Sequence, residues 1–237
     1  MGIKKKEHTK AESLIYLKLY EKKLNYKIPK LIYFTKKDFN KNSNKIINNI
    51  KNIFKNNKVI IRSSSLQEDS LKESNAGKFK SFKNLKTKKN ILIKYINLVA
   101  KDLKKKDDQI IVQEFVSKPK FSGVIFTRNI NNNSPYYFIN FDKSGLTDLI
   151  TSGKPNPSMK TIIVNRDKIR ESGFFSKYLK IIKKIEIKFE NDRLDIEFCI
   201  KNNKLHILQC RPLKFIKKVN DNKIKDALIN IEKKIIK

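Results

Sequence analysis

The stretch "DRLDIEFCIKNNKLHILQCRPL", residues 192–213, brings two carboxylates, an amide and a guanidinium to strand-like spacing. Alternation along a strand puts Asp195, Glu197 and Cys199 on one face, and Ile196, Phe198 and Ile200 on the other. The returning segment puts Leu205, Ile207, Gln209 and Arg211 on one face, with His206, Leu208 and Cys210 opposite. Register decides which faces match, because a slip of one residue exchanges them all. A two-residue Asn202-Asn203 turn would set Gln209 and Arg211 beside Ile196 and Ile200, burying charge at high cost. A loop one residue longer, Asn202-Asn203-Lys204, sets Glu197 opposite Gln209, Asp195 opposite Arg211, and the isoleucines opposite Leu208 and Cys210. The longer loop is therefore expected, with asparagines in the left-handed conformation it requires. His206 then faces the core, and the two cysteines fall on opposite faces. The polar face so formed suits a magnesium ion carrying phosphates: the metal takes hard oxygen ligands, and arginine grips a phosphate oxygen. On the residues alone a solvated hairpin with a surface Asp195–Arg211 ion pair is an open alternative.

A second charged residue stands at the end of an apolar run. In "VIIRSSSLQED", residues 59–69, a buried strand delivers Arg62 to its own end, followed by hydroxyls. Only six of the 55 basic residues are arginine. Lysine is a hydrated point charge, whereas arginine offers a planar fork to phosphate.

The rest of the composition narrows the class. A chain of 237 residues with 39% hydrophobic and 33% charged content is globular with a heavily charged surface. The formal net charge of +32 raises the question of nucleic acid. The charge is diffuse, written mostly as lysine among asparagine and isoleucine, and no recognition motif accompanies it, which argues against that partner. Cys199 and Cys210 form neither a disulfide framework nor a metal-type CxxC pair, and read as core thiols of a reducing compartment. No apolar stretch follows the basic start, and no window approaches a membrane span, so a cytoplasmic location is expected.

The elements that must position these residues follow from periodicity. Helical spacing of Leu14, Leu17 and Leu24 predicts a helix over 10–24. A strand follows Pro29 and runs to 35. A helix over 37–56 carries Ile46, Ile47, Ile50, Ile53 and Phe54 on one face. A strand over 58–62 ends at Arg62. A polar turn with a glycine leads to a short strand near Phe79–Phe82, and a helix covers 88–104. Strands are expected at 109–116, 121–129, 135–141 and 161–166, with a polar loop at 144–153 and an amphipathic helix at 173–189. The hairpin closes the fold, and 214–237 is a basic helix or tail. Such a mixture predicts an α+β chain in two lobes.

In order and spacing, "VIIRSSSLQEDS…NAGKFKS", "IIVQEFV…FSGVIFTRN" and "LDIEFCI…LHILQCRPL" resemble the ATP-binding, ATP-grasp-type domain of the pyruvate phosphate dikinase and phosphoenolpyruvate synthase family. The similar domain of rifampicin phosphotransferases shares them. The resemblance covers about residues 9–213. It implies an ATP-grasp-like fold with mixed or antiparallel sheets and flanking helices. Two lobes meeting near 112–117 would clamp ATP and Mg2+. It implies a phosphate ligand at Lys10, in "HTKAESL", and another at Arg62. Gly77 and Ser81 match the family's phosphate loop, Gln113 the strand that reads the adenine edge, and Asp148 the "GLTDLITSG" loop. Glu197 and Gln209 match the metal pair, with Asp195 beside them, and Arg211 matches the arginine of "QxRP". Arg62 and Arg211 are then the catalytic cations.

The expected function is that of an ATP- and magnesium-dependent phosphotransferase component. The histidines His8 and His206 lie in no phosphohistidine-like setting, so the acceptor is expected to be a small molecule or a histidine on a separate phosphohistidine-domain protein. A non-catalytic nucleotide-binding regulatory module is the alternative, and a basic nucleic-acid-binding protein a more distant one.

Overall fold

The structure is a computed structural model and describes residues 8–66, 81–142 and 158–213. The chain divides into two compact units. The first comprises residues up to Tyr20 together with Lys27–Ser117, and the second Glu21–Tyr26 together with residues from Lys118 on.

The first unit is a four-stranded antiparallel sheet in the order β1-β4-β2-β3, built from Leu31–Thr35 (β1), Val59–Ser64 (β2), Ser81–Leu85 (β3) and Gln109–Glu114 (β4). Helices Lys36–Phe54 (α3) and Lys89–Asp102 (α4) cover one face. Their buried stripes, Phe39, Ile47, Ile50 and Phe54 on α3 and Leu92, Ile96 and Val99 on α4, join Phe34, Val59, Ile61, Ile110 and Val112 in one core. Alternation sends Ile60, Arg62, Ser64, Gln109, Ile111 and Gln113 to the opposite face. β1 runs straight into α3 because Thr35 caps it: its hydroxyl accepts the Asp38 N–H, and the Asp38 carboxylate accepts the Thr35 N–H. A hydrogen bond from the Thr35 hydroxyl to the Asp38 carboxylate, with the one from the Thr35 N–H, holds the Asp38 carboxyl below its ordinary pKa.

The helix expected over 10–24 is two, Lys10–Lys18 (α1) and Glu21–Leu24 (α2). The chain tightens where the Tyr20 N–H bonds to the Leu17 carbonyl, and Leu19 is left 75% exposed. The strand expected to stop at Arg62 continues to Ser64, because the ladder with β4 continues through Ser63–Ile110 and Ser64–Gln109.

The second unit is a five-stranded antiparallel sheet, ordered β7-β6-β5-β8-β9. Its strands are Phe121–Phe126 (β5), Tyr136–Asp142 (β6), Met159–Asn165 (β7), Leu194–Lys201 (β8) and Lys204–Pro212 (β9). A 3-10 turn, Ile169–Phe175, leads into helix Ser176–Phe189 (α5). Phe175 at that junction packs against Phe121, Phe141 and Phe198, which share one face of the sheet. At Gly123 the strands approach too closely for a side chain: an added Cβ would lie 2.2 Å from the Asn140 carbonyl oxygen and 2.9 Å from the Phe198 ring.

The closing hairpin corrects the expected turn while keeping the expected pairs. Lys201 pairs with Lys204, so the loop is the two-residue Asn202-Asn203 turn that the sequence argument set aside, with both asparagines at positive φ, 51° and 56°. The change of face comes instead from a bulge. Phe198 pairs with Ile207 but Glu197 pairs with Gln209, leaving Leu208 as the extra residue. Before the bulge, Leu205 and Ile207 point to the core. After it, Gln209 and Arg211 point to the other face, opposite Glu197 and Asp195. Two expectations fall with the loop. His206 pairs with Cys199, on the face of Glu197 and opposite to that of Ile196, Phe198 and Ile200, and Ile200 pairs with Leu205 rather than with Leu208. The cysteines do lie on opposite faces and are free. Burial pushes the Cys199 thiol up to about 12 and Cys210 higher still, so neither is a nucleophile at neutral pH.

Candidate functional site

In the first unit the face opposite α3 and α4 gathers the expected phosphate residues. Arg62 is 7% exposed, and its guanidinium donates to Gln113 Oε1 at 2.7 Å. Gln113 is fully buried, and its Nε2 has no hydrogen-bond partner among the described residues. A buried amide donor left unpaired costs about 1–3 kcal/mol unless something supplies an acceptor. Ser81 stands directly across from Arg62 on edge strand β3, and Tyr33 and Ile111 complete the same row. Lys10 is the first residue of α1, between Thr9 and Ala11, and both neighbours are tied to this sheet. Thr9 Oγ1 donates to Gln109 Oε1 at 2.8 Å, and the Ala11 N–H donates to Ser64 Oγ at 3.0 Å. Ser64 and Gln109 were not singled out from the sequence. Period-two spacing, Ser64 from Arg62 and Gln109 from Gln113, is the signal that marks them.

In the second unit the polar face of the hairpin lies in rows across the sheet. Glu197 sits between Val124 and Gln209, and Asp195 between Phe126 and Arg211. Gln209 is 4% exposed, Glu197 partly exposed. Arg211 engages Asp195 through two nitrogens on the same oxygen, Nε at 2.8 Å and Nη2 at 2.7 Å. That pair draws Asp195 toward the arginine, with Glu197 and Gln209 side by side in the adjacent row. Among the described residues no group of three or more His, Cys, Asp and Glu side chains is arranged to hold an ion. Gly77 and Asp148 lie outside the described residues.

Two further arginines hold the second unit together. Arg128 is paired with Asp192 and donates to the Asn133 carbonyl at 3.3 Å. Arg166 binds Glu186 through two nitrogens, 2.8 and 2.6 Å, donates to the Thr127 carbonyl, and lies 4.7 Å over the Tyr137 ring. Tyr137 also donates to Glu186. Burial raises the Glu186 carboxyl against the opposing pull of Arg166. Arg166, which no sequence motif explained, is thus part of a buried structural ion pair.

The fold defines a class: an α+β protein with two antiparallel sheets and flanking helices, the architecture expected of an ATP-grasp-like chain. A solved structure with the same fold over most of both chains is the dinucleotide-forming acetyl-coenzyme A synthetase 1 of Ca. Korarchaeum cryptofilum. It is 15% identical, with TM-score 0.51, covering 88% of this chain and 93% of that one. More particularly, residues 23–107 match the family model for the AMP/ATP-binding domain of pyruvate phosphate dikinase. The match contains Arg62 and Ser81, while Lys10, Gln113 and the hairpin lie beyond it. The uncharacterized phosphotransferase YvkC of Bacillus subtilis is 25% identical over 236 residues, covering 75% of this chain and 28% of that protein. The pyruvate, phosphate dikinase of Rickettsia typhi is 32% identical over 136 residues, covering 54% and 15%. The chain therefore spans less than a third of either relative's length. No helix among the described residues is long and apolar enough to cross a membrane.

Proposed function

We propose that this chain is the ATP- and magnesium-binding component of a phosphotransferase. The observation that carries the reading is the buried Arg62–Gln113 pair. A guanidinium is held at the sheet face by an amide whose own nitrogen has no acceptor among the described residues. Phosphate oxygens or an adenine nitrogen supply acceptors of the kind Gln113 Nε2 can use. Arg62, Lys10 and Ser81 of the first unit are the phosphate-binding groups, and Gln113 reads the base. In the second unit, Glu197 and Gln209 hold the metal and Arg211 meets phosphate once it turns from Asp195. Gly77 and Asp148 complete the set. One carboxylate and one amide oxygen fit Mg2+, which commonly completes its shell from phosphate and water. The metal supplies neutralisation of phosphate charge. Holding the phosphates by fixed cations contributes positioning and electrostatic stabilisation of the transferring group. The acceptor is a small molecule or a histidine on a separate protein, and the location is cytoplasmic.

A second reading has its own observation. Arg211 is already neutralised by Asp195. A chain that keeps this ion pair with nucleotide bound would be a binding module without transfer.

Calorimetry with ATP, with and without magnesium, tests binding, and chromatography of ADP and AMP over candidate acceptors tests transfer. Magnesium-dependent binding is expected at millimolar ATP or below, and no heat would sink both readings. Glu197→Gln is nearly isosteric and removes only the metal-binding charge, so it is expected to abolish turnover while the protein stays folded. Equal turnover in Glu197→Gln and wild type would leave the binding module standing.

A further inference from the structure

The start of α1 is fastened to the nucleotide face by a closed set of hydrogen bonds. The first N–H groups of a helix have no partner within it and must find one elsewhere. Here the Glu12 N–H donates to Thr9 Oγ1 at 3.2 Å, the usual capping bond. The Ala11 N–H is met by a residue 53 positions away, Ser64 Oγ, which is fully buried. Each hydroxyl can accept from α1 only if its own proton points elsewhere. Gln109 provides that direction: its Oε1 accepts from Thr9 Oγ1 at 2.8 Å and from Ser64 Oγ at 3.3 Å. One amide oxygen thus orients both hydroxyls, and their lone pairs face the helix.

Lys10 lies between the two fastened residues. Ser64 is two residues from Arg62 on the same face of β2, a separation of about 7 Å along a strand. We propose that Ser64 and Gln109 are positioning residues that fix the backbone of Lys10 beside Arg62, so that lysine and arginine bind one phosphate chain together. The proposal rests on the nucleotide reading above. A cap that served stability alone would leave ligand selectivity untouched. A positioning device makes phosphate binding, and only phosphate binding, depend on Gln109.

The experiment is calorimetry of MgATP and of adenosine with wild type, Gln109→Leu, Gln109→Glu, Ser64→Ala, Lys10→Ala and the double variant Lys10→Ala/Gln109→Leu. Near-ultraviolet circular dichroism checks folding, and Gln109, being partly exposed, gives variants that tolerate the change if Ser64→Ala does not. Gln109→Leu and Ser64→Ala are expected to weaken MgATP about fivefold, the size of one lost capping bond, with adenosine unchanged. Gln109→Glu, which keeps an acceptor oxygen, restores most of the affinity. In the Lys10→Ala background, Gln109→Leu adds nothing further. Equal losses for MgATP and adenosine, or additive losses with Lys10→Ala, would overturn the positioning role while nucleotide binding stood. Wild type that binds no MgATP would remove the nucleotide reading and this proposal with it.

Discussion

Arg62 enters a buried sheet face through an apolar strand, and its bond to Gln113 explains why that position is not lysine. An ammonium is a hydrated point charge and cannot hold the amide oxygen and a phosphate through one rigid fork. Arg62→Lys conserves charge and removes geometry. It is expected to weaken ATP binding about tenfold, and calorimetry at constant ionic strength checks it. Unchanged affinity would show that charge alone matters there. The spacing in "VIIRSSS" made Arg62 legible from sequence. Gln113 was named through the resemblance, but its bond to Arg62 was not legible, because the two lie 51 residues apart and only the β2–β4 register brings them together. Asp195 opposite Arg211 was expected from the alternation, but the device that pairs them, a bulge at Leu208, is one no periodicity displays.

At the scale of elements, two features of the second unit carry measurable consequences. Gly123 sits where β5, β6 and β8 pack too closely for a Cβ. Gly123→Ala forces backbone apart, so a loss of about 3 kcal/mol or more is expected, read as a lower urea midpoint. The Asp192 carboxyl is pushed up by partial burial, but hydrogen bonding and the charge of Arg128 override this and hold it below its ordinary value. The folded state therefore favours its ionised form. Its contribution is complete above the unfolded carboxylate pKa and is lost as pH falls through the lowered folded value. Asp192→Asn is expected to lower Tm at pH 7, and its gap from wild type should close as pH drops below about 4. A gap that stayed constant with pH would mean the carboxylate charge does not matter. The hairpin belongs to this scale too. Asn202 and Asn203 both accept positive φ, which permitted the tight turn, and Leu208 then absorbed the register change that a longer loop had been expected to make.

For the molecule as a whole the dominant fact is a net charge of +32. Self-repulsion of that size destabilises any compact state and is screened by salt. The Debye length shrinks from about 30 Å at 0.01 M to about 8 Å at 0.15 M. Tm is expected to rise with sodium chloride over that range, measured by differential scanning fluorimetry. A falling Tm would mean that specific ion pairs such as Arg166–Glu186 outweigh the diffuse repulsion. The same diffuse charge predicts weak duplex binding with a steep salt slope, displaced at salt concentrations where nucleotide stays bound.

The amino-acid sequence by itself determined the α+β class, most element positions, the buried stripes of α3 and α4, and the motif residues Arg62, Glu197, Gln209 and Arg211. These follow from local periodicity and side-chain chemistry, which neighbouring residues carry. Tertiary structure alone decided what is non-local. The fastening of α1 through Ser64 and Gln109, the Arg166–Glu186–Tyr137 cluster, the close approach at Gly123 and the side on which His206 lies are examples. Each depends on which strands pair and in what register. That choice is made by the summed burial of whole faces, and no local stretch of chain contains it.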